Sequence, residues 1–469
     1  MSTLGEAMAG LLSPAQVADG PDVRRVYATD AYTIESAAPE AVVWPTSTDE
    51  VARVVRWCHE NGVPFTPRGA GTGLSGGAMA ALGGVIISTK RMTRILEVDL
   101  ANRTLRAQAG ATNVSLTTAV RAHGLHFAPD PSSQSVSTLG GNIAENSGGP
   151  HTLKYGVTAQ HVLAATLVTA DGRVEEIGGP VPGGPGPDLL ALVVGSEGTL
   201  GIVTEAVVRL TPLPSQVATL LFSFRSVRGA TETVAAIMAA GIVPAALEMM
   251  DSAIFEAVKA AFGFDVPEGA AAMLLIECDG EHAVAEAEAV REVASRFDVC
   301  EVRVAATEAE REHLWKVRKK GIGAMGRLAP TVVTHDGVIP RSRLPEMLDV
   351  VYEAAQREKL GVANIFHAGD GNLHPIFYFD EREPGVVERV VRAGEEILRA
   401  CVALGGSVSG EHGIGVEKLD FMSLMFAPED LGLMQQAKRL FPEGANPCKV
   451  IPHQRGCVEH MRRWKGAAT

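Results

Sequence analysis

Two histidines, His367 and His374, flank a Gly-Asp-Gly turn in the stretch FHAGDGNLHP, Phe366 to Pro375. If the flanking segments pair as a hairpin, the turn brings both imidazoles to one place, which is metal-ligand geometry. Farther along, SGEHGIG sets Glu411 and His412 side by side in a glycine-rich loop. Adjacent residues in extended chain point to opposite sides, so one of this pair can ligate a metal while the other faces a substrate. Two histidines and a glutamate with an open position form a ligand set used for catalytic zinc, although manganese or iron accept the same donors. The chain has 13 histidines, and a lone histidine is more often a hydrogen-bonded structural residue; His123, His126 and His313 are read that way. His367, His374 and Glu411 together are read as a metal site. His412 is open between a substrate-facing group and one that orients a ligand. Asn372 is open between a turn residue and a polar contact.

The second chemical feature is PRGAGTGLSGG, Pro67 to Gly77. Successive backbone N–H groups without side chains in the way can close around a diphosphate, which Arg68 helps to neutralise. The competing reading is a flexible linker, but the run lies between two strand-like segments, Val63 to Thr66 and Val85 to Ser88. Gly71, Gly73 and Gly76 spell G-x-G-x-x-G, the dinucleotide fingerprint of nicotinamide enzymes. That fingerprint must open a helix, and the short, Gly83-Gly84-interrupted stretch between Gly76 and Val85 leaves no room for a helical crossover. The diphosphate is therefore expected in a loop between strands. A second block, PDPSSQSVSTLGGNIAENSGG, offers hydroxyls at Ser132, Ser133 and Thr138 and close backbone approach at Gly140 and Gly141. Two such blocks suit one large ligand.

The elements that must position these groups follow from periodicity. AVVWP from Ala41 is a short strand, and Ser47-x-x-Glu50 is a capping-box signature before a helix with Val51, Val54, Val55 and Cys58 on one face. Asp171-Gly172 marks a hairpin between Leu163–Thr169 and Arg173–Ile177. GSEGTLGIVTEAVVRLTP from Gly195 turns into a long strand. Composition shifts after Pro212 and Pro214, and strand and helix patterns then alternate, as for a sheet with helices packed on one face. The expected organisation is α+β, with an arm at 1–40, a ligand domain at 41–214, a second domain at 215–415 and a C-terminal segment at 416–469. The first forty residues read as a surface helix and a connecting arm.

Composition narrows the partners. The 469-residue chain is 46% hydrophobic and 21% charged, ordinary for a soluble globular enzyme, and its formal charge of −13 argues against nucleic acid and anionic membrane surfaces. Six scattered cysteines without C-x-x-C spacing give neither a zinc ribbon nor an iron–sulfur motif, and suit a reducing cytoplasm. The N-terminus carries no signal-peptide pattern, and no stretch reads as a transmembrane segment. A cytoplasmic protein is expected.

The ordered motifs AVVWPTSTDEV, PRGAGTGLSGGA, PDPSSQSVSTLGGNIAENSGGPHTLKYG, GSEGTLGIVTE, ALEMMD, FHAGDGNLHP and SGEHGIG resemble those of the glycolate oxidase FAD-binding subunit. This subunit belongs to the D-2-hydroxyacid dehydrogenase branch (D-lactate, D-2-hydroxyglutarate) of the vanillyl-alcohol oxidase type of flavoproteins, and the likeness covers nearly the whole chain. It implies a two-subdomain FAD domain, a cap with an antiparallel sheet, and a C-terminal segment returning to the flavin domain. Matched by motif, Arg68, Gly69, Ala70, Gly71, Thr72, Gly73, Leu74 and Ser75 would hold the FAD diphosphate. Around the rest of the cofactor the resemblance places Pro131, Ser132, Ser133, Gly140, Gly141, Asn142, Ala144, Ser147, Gly148, Glu197 and Ile202, with Asn446 at the flavin. His367, His374 and Glu411 match the family's metal site, His412 its base, and Arg318 in WKVRK an arginine for the substrate carboxylate. No histidine lies between Thr66 and Ala78, so the FAD is expected to be non-covalent. Thr334 or His335 stands where dicarboxylate-oxidising relatives carry a lysine.

The expected activity is metal-assisted oxidation of a small D-2-hydroxy acid, glycolate or D-lactate, with hydride passing to the flavin and a divalent metal, zinc by ligand type. The resemblance also implies partners, a second flavin subunit and an iron–sulfur subunit or another electron acceptor. Two rivals share the architecture: a non-redox flavoenzyme of the alkyl-dihydroxyacetone-phosphate synthase type, and a flavin-carrying subunit inactive without partners.

Overall fold

The computed structural model describes residues 3–181 and 184–442. The chain forms two compact units, one of 1–148, 157–213 and 411–469, the other of 149–156 and 214–410. Within the stretch read from sequence as 41–214, Gly149–Gly156 thus belongs to the second unit.

In the first unit, a four-stranded sheet runs in the order Val17–Ala18, Ala41–Val43, Val85–Ser88, Phe65–Arg68. The first pair is antiparallel and the other two are parallel. The arm of the first forty residues therefore adds an edge strand and sinks Met8 fully into the core, which a two-residue strand is too short to reveal by periodicity. Helix Thr48–Glu60 covers this sheet with Val51, Val54, Val55 and Cys58. Ser47 accepts the Glu50 N–H at 3.3 Å, but the Glu50 carboxylate turns to Thr46 N–H (2.7 Å) and Gln16 Nε2 (2.7 Å), so half of the capping box forms.

The glycine-rich loop occupies residues 69–84 and contains no helix, as its spacing requires. Its flanking strands are nevertheless parallel neighbours, Thr66 opposite Ile86. Counted from Arg68 instead of Gly76, the irregular loop is long enough to cross over, bent by glycines at positive φ such as Gly71 (76°) and Gly76 (79°).

The other sheet of this unit is antiparallel, in the order Ile95–Asp99, Thr104–Gln108, Ile202–Arg209, Val162–Val168, Val174–Gly178. Asp171-Gly172 makes the expected hairpin between the last two, with Gly172 at φ 79°. Leu105, Ala107, Leu139, Ile143, Leu167 and Val208 form its core.

The second unit is built on a nine-stranded antiparallel sheet. Its central strands, Ala246–Asp251 and Ala272–Asp279, are buried at every position. One face carries Leu221, Ala246, Met250, Met273, Leu275, Ala363 and Ile365 against helices Ser252–Phe262 and Glu308–Ala324. The alternate residues Leu220, Phe222, Leu247, Met249, Leu274, Ile276 and Phe366 are equally buried, under helices Val227–Ala239, Ala283–Ala294 and Leu344–Glu358. The expectation of helices on one face is thus corrected to both faces. AMLLIEC already carried the signal, because a strand covered on both sides reads as a continuous apolar run, without alternation. Among the described residues, no helix is long and apolar enough to cross a membrane.

Candidate active site

The loop Pro67–Leu74 is half-exposed throughout, between buried Phe65–Thr66 and buried Ser75–Gly77. Arg68 is folded beneath its own loop. Its guanidinium lies 5.1 Å from the Tyr27 ring centroid, Nη1 donates to the Ala78 carbonyl at 3.3 Å, and a Cβ on Gly71 would come within 2.3 Å of Nη2. Burial pulls the Arg68 pKa down, with Asp30 opposing. Gly69 presses on the second glycine block, since a Cβ there would meet Thr138 Oγ1 at 2.4 Å. Thr138 caps helix Leu139–Glu145 by accepting the Gly141 N–H at 3.3 Å. The two blocks are therefore one packed surface, in which the space a Cβ would need at Gly69, Gly71 and Gly140 is taken by Thr138, Arg68 and Ala109. Such a surface fits a diphosphate, with Gly69, Ala70, Gly71, Thr72, Gly73 and Leu74 as its exposed rim and Gly140 and Gly141 behind.

Other predicted cofactor residues use their side chains within the protein. Asn142 Nδ2 donates to Asn113 Oδ1 at 2.9 Å, and Asn113 in turn to the Pro129 carbonyl at 2.8 Å. Ile202, 2% exposed, belongs to the core under helix Thr48–Glu60. Pro131 and Ser133 close successive turns through their carbonyls, leaving Ser132 exposed. The Ser147 carbonyl accepts from Thr158, the Ala144 carbonyl takes the Glu197 N–H at 2.8 Å, and Gly148 is buried. Asn446 lies outside the described residues.

Ser75 and Glu197 turn toward a different partner. Ser75 Oγ donates to the His412 carbonyl at 2.9 Å. Glu197, at φ 52° and 4% exposed, accepts the Ile414 and Gly415 N–H groups at 2.7 Å each. Both residues hold the loop that carries His412.

In the second unit, the Gly369-Asp370-Gly371 turn joins strands Gly361–His367 and Asn372–Leu373, with His367 opposite Asn372. The two imidazoles meet at 5.2 Å between centroids, nearly perpendicular at 87°. Glu248, fully buried and directly across the sheet from His367, accepts from His367 Nδ1 at 2.7 Å and binds Arg318 Nε. Burial would raise the Glu248 pKa; Arg318 and then His367 outweigh it and hold the carboxyl below its usual range. Because a carboxylate only accepts, His367 donates through Nδ1–H, which turns Nε2 away from Glu248. A carboxylate behind a histidine is how metal-binding imidazoles are commonly oriented, so the donor set fits a divalent ion.

Arg318 is 3% exposed, on the inner face of helix Glu308–Ala324, with Nη2 3.5 Å from His367 Nδ1. Asp336, fully buried, lies 3.8 Å from His374 Nδ1 and accepts Ser409 Oγ (2.7 Å) and the Gly410 N–H (2.9 Å). Glu411 and His412 follow Gly410 in the chain and belong to the first unit. His335 turns away onto helix Val386–Ala403, where a Cβ on Gly394 would touch its ring at 2.3 Å; Thr334 is half-buried.

Sequence reasoning missed Glu248 and Asp336 as site residues. Glu248 is an acid within an apolar strand, ALEMM, and Asp336 lies between two short strands in VVTHDGV; both are fully buried, and burial demands a partner.

The chain belongs to the FAD-linked oxidase family: the family's C-terminal domain matches residues 213–450, and an FAD binding domain matches 39–178. It is 42% identical over 437 residues to the glycolate oxidase subunit GlcD of Escherichia coli strain K12, covering 92% of this chain and 88% of that one. A D-lactate dehydrogenase of Anaerostipes hadrus is 33% identical over 453 residues, covering 94% and 95%. The fold matches p-cresol methylhydroxylase with substrate bound, at a TM-score of 0.76 and 18% identity, covering 93% of each chain. The architecture is that of the vanillyl-alcohol oxidase type, and the chain is an FAD-linked oxidoreductase.

Proposed function

We propose that the chain oxidises a small D-2-hydroxy acid, glycolate or D-lactate, to the 2-oxo acid. The observation that carries this reading is the Glu248–Arg318–His367 cluster, a buried guanidinium beside two perpendicular imidazoles. The names of the relatives, a glycolate oxidase subunit and a D-lactate dehydrogenase, support it.

In this reading Arg318 pairs with the substrate carboxylate. Its Nε is engaged by Glu248, which orients the guanidinium and leaves further N–H donors for a planar anion. His367, His374 and Glu411 hold a divalent metal, zinc by ligand type, which would lower the pKa of the substrate hydroxyl. His412 takes the hydroxyl proton, its backbone fixed by Ser75. Bound, non-covalent FAD supplies the two-electron acceptor for the α-hydrogen. The half-exposed rim from Arg68 to Leu74 holds the diphosphate. Electrons then pass to a separate carrier, a second flavin subunit and an iron–sulfur subunit or another acceptor. The protein works in the cytoplasm, in keeping with six scattered cysteines without C-x-x-C spacing.

The test is anaerobic addition of a panel of D- and L-2-hydroxy acids to the FAD-loaded protein. Bleaching of the visible flavin band by glycolate or D-lactate is expected. A protein that stays oxidised with every member of the panel refutes the reading.

A further inference from the structure

Arg318 is one of three side chains that helix Glu308–Ala324 directs at the sheet. Arg311, Trp315 and Arg318 recur at helical spacing, so they line one face. Beneath them two glutamates point up from neighbouring strands. Ala246 is opposite Glu277 and Glu248 is opposite Leu275, which puts Glu277 and Glu248 on the same face, on a diagonal.

Glu248 takes Arg318; Glu277 takes everything else on that face. Its Oε2 accepts from Arg311 Nε at 2.8 Å, Trp315 Nε1 at 2.7 Å and Thr219 Oγ1 at 2.6 Å. Its Oε1 accepts from Arg311 Nη2 at 2.8 Å and contacts His151 Nε2 at 3.1 Å. The carboxylate is 2% exposed and saturated with donors, including a bidentate arginine fork. His151 also stacks on Trp315, at 5.4 Å and 28°.

His151 comes from Gly149–Gly156, the short segment counted with the second unit. That segment is fastened at three further points. Lys154 and Tyr155 both bind Asp279, two residues beyond Glu277. Leu153 fills the space above Gly369, where a Cβ would come within 2.5 Å of Leu153 Cδ2. Gly369 opens the turn between His367 and His374.

We propose that Glu277, Arg311 and His151 are positioning residues for Arg318. A substrate carboxylate must find the guanidinium already placed, yet Glu248 is shared between Arg318 and His367 and cannot alone fix the helix. The Glu277–Arg311 pair locks the same helix two turns upstream, in rotation and along its axis. His151 adds the Gly149–Gly156 segment to that lock. The inference rests on the reading of Arg318 as the carboxylate partner.

The test uses the FAD-loaded full chain with Arg311→Lys, which keeps the charge and removes the fork, and His151→Phe, which keeps the stack and removes one contact. The measurements are KM and kcat for D-lactate, pyruvate affinity by perturbation of the oxidised flavin spectrum, and flavin content. We expect KM and the pyruvate dissociation constant to rise about tenfold in Arg311→Lys and about threefold in His151→Phe, with kcat within about twofold and flavin content unchanged. Unchanged pyruvate affinity in both folded variants overturns the proposal, as does a fall in kcat with KM unaltered. Arg318→Lys, run in parallel, separates the two levels. If it too leaves pyruvate binding intact, the reading of Arg318 is wrong; if it alone weakens binding, only the lock is refuted.

Discussion

Replacing Glu248 by glutamine isolates the one group that serves both Arg318 and His367. The substitution keeps the shape and one acceptor oxygen but removes the charge, leaving a guanidinium that is 3% exposed without its counter-ion. Breaking a buried ion pair by removing one partner costs about 3–5 kcal/mol. The amide oxygen can still accept from Arg318 or from His367, though not as a charged group, so the lower end, about 3 kcal/mol, is expected. The second consequence is at the metal. His367 Nδ1 loses its carboxylate acceptor at 2.7 Å, and the imidazole is no longer fixed with Nε2 outward. Loss of such an orienting partner weakens metal affinity about 10–100-fold. Denaturant unfolding of the FAD-loaded chain measures the first effect, and zinc titration against a chromophoric chelator the second. Glu395→Gln, which breaks the exposed pair with Arg399 on helix Val386–Ala403, serves as control and leaves both unchanged. A Glu248→Gln protein with wild-type unfolding midpoint and wild-type zinc affinity would refute the reasoning.

Three further outcomes are expected. Gly69→Ala and Gly71→Ala place a Cβ 2.4 Å from Thr138 Oγ1 and 2.3 Å from Arg68 Nη2, the latter also at φ 76°, so both lose FAD on gel filtration; Gly179→Ala, with open space around it, retains it. His412→Ala keeps FAD but no longer bleaches it with substrate, and a variant reduced at near wild-type rate would remove His412 as the base. Burial would raise the Glu277 carboxyl, but hydrogen bonds from His151 and Arg311 hold it far below the usual carboxylate range. A folded pKa below the unfolded one gives stability that is complete above the unfolded carboxylate range and lost as pH falls through the folded value. Unfolding midpoints should therefore decline on acidification below about pH 5 in the wild type and less steeply in Glu277→Gln; parallel pH curves would refute this.

The residues legible from sequence alone are those whose spacing dictates local geometry. A Gly-Asp-Gly turn between two histidines leaves the chain few ways to pair, and the imidazoles are 5.2 Å apart. Asp171-Gly172 is legible for the same reason. The parallel crossover of residues 69–84 was not, because irregular backbone has no period and its path is set by what it packs against. Gly69 reads as one more glycine in a flexible run until Thr138, far away in sequence, is seen beneath it.

The carboxylates show where local reading stops. Glu248 and Glu277 lie inside apolar strands that end in Asp251 and Asp279, and Asp336 lies between two short strands; none of the three changes a strand's periodicity. Yet a strand buried on both faces has no solvated side to which an acid can turn, so its charge must be matched from elsewhere in the chain. For Glu248 the match is Arg318, and for Glu277 it is Arg311, both on helix Glu308–Ala324. The sequence therefore contains the demand for a partner but not its address, which only the packing of that helix supplies. Glu197 adds the converse lesson. Its motif points to the cofactor, whereas its two oxygens hold the backbone of Ile414 and Gly415, so the motif leaves open which of its neighbours the carboxylate serves.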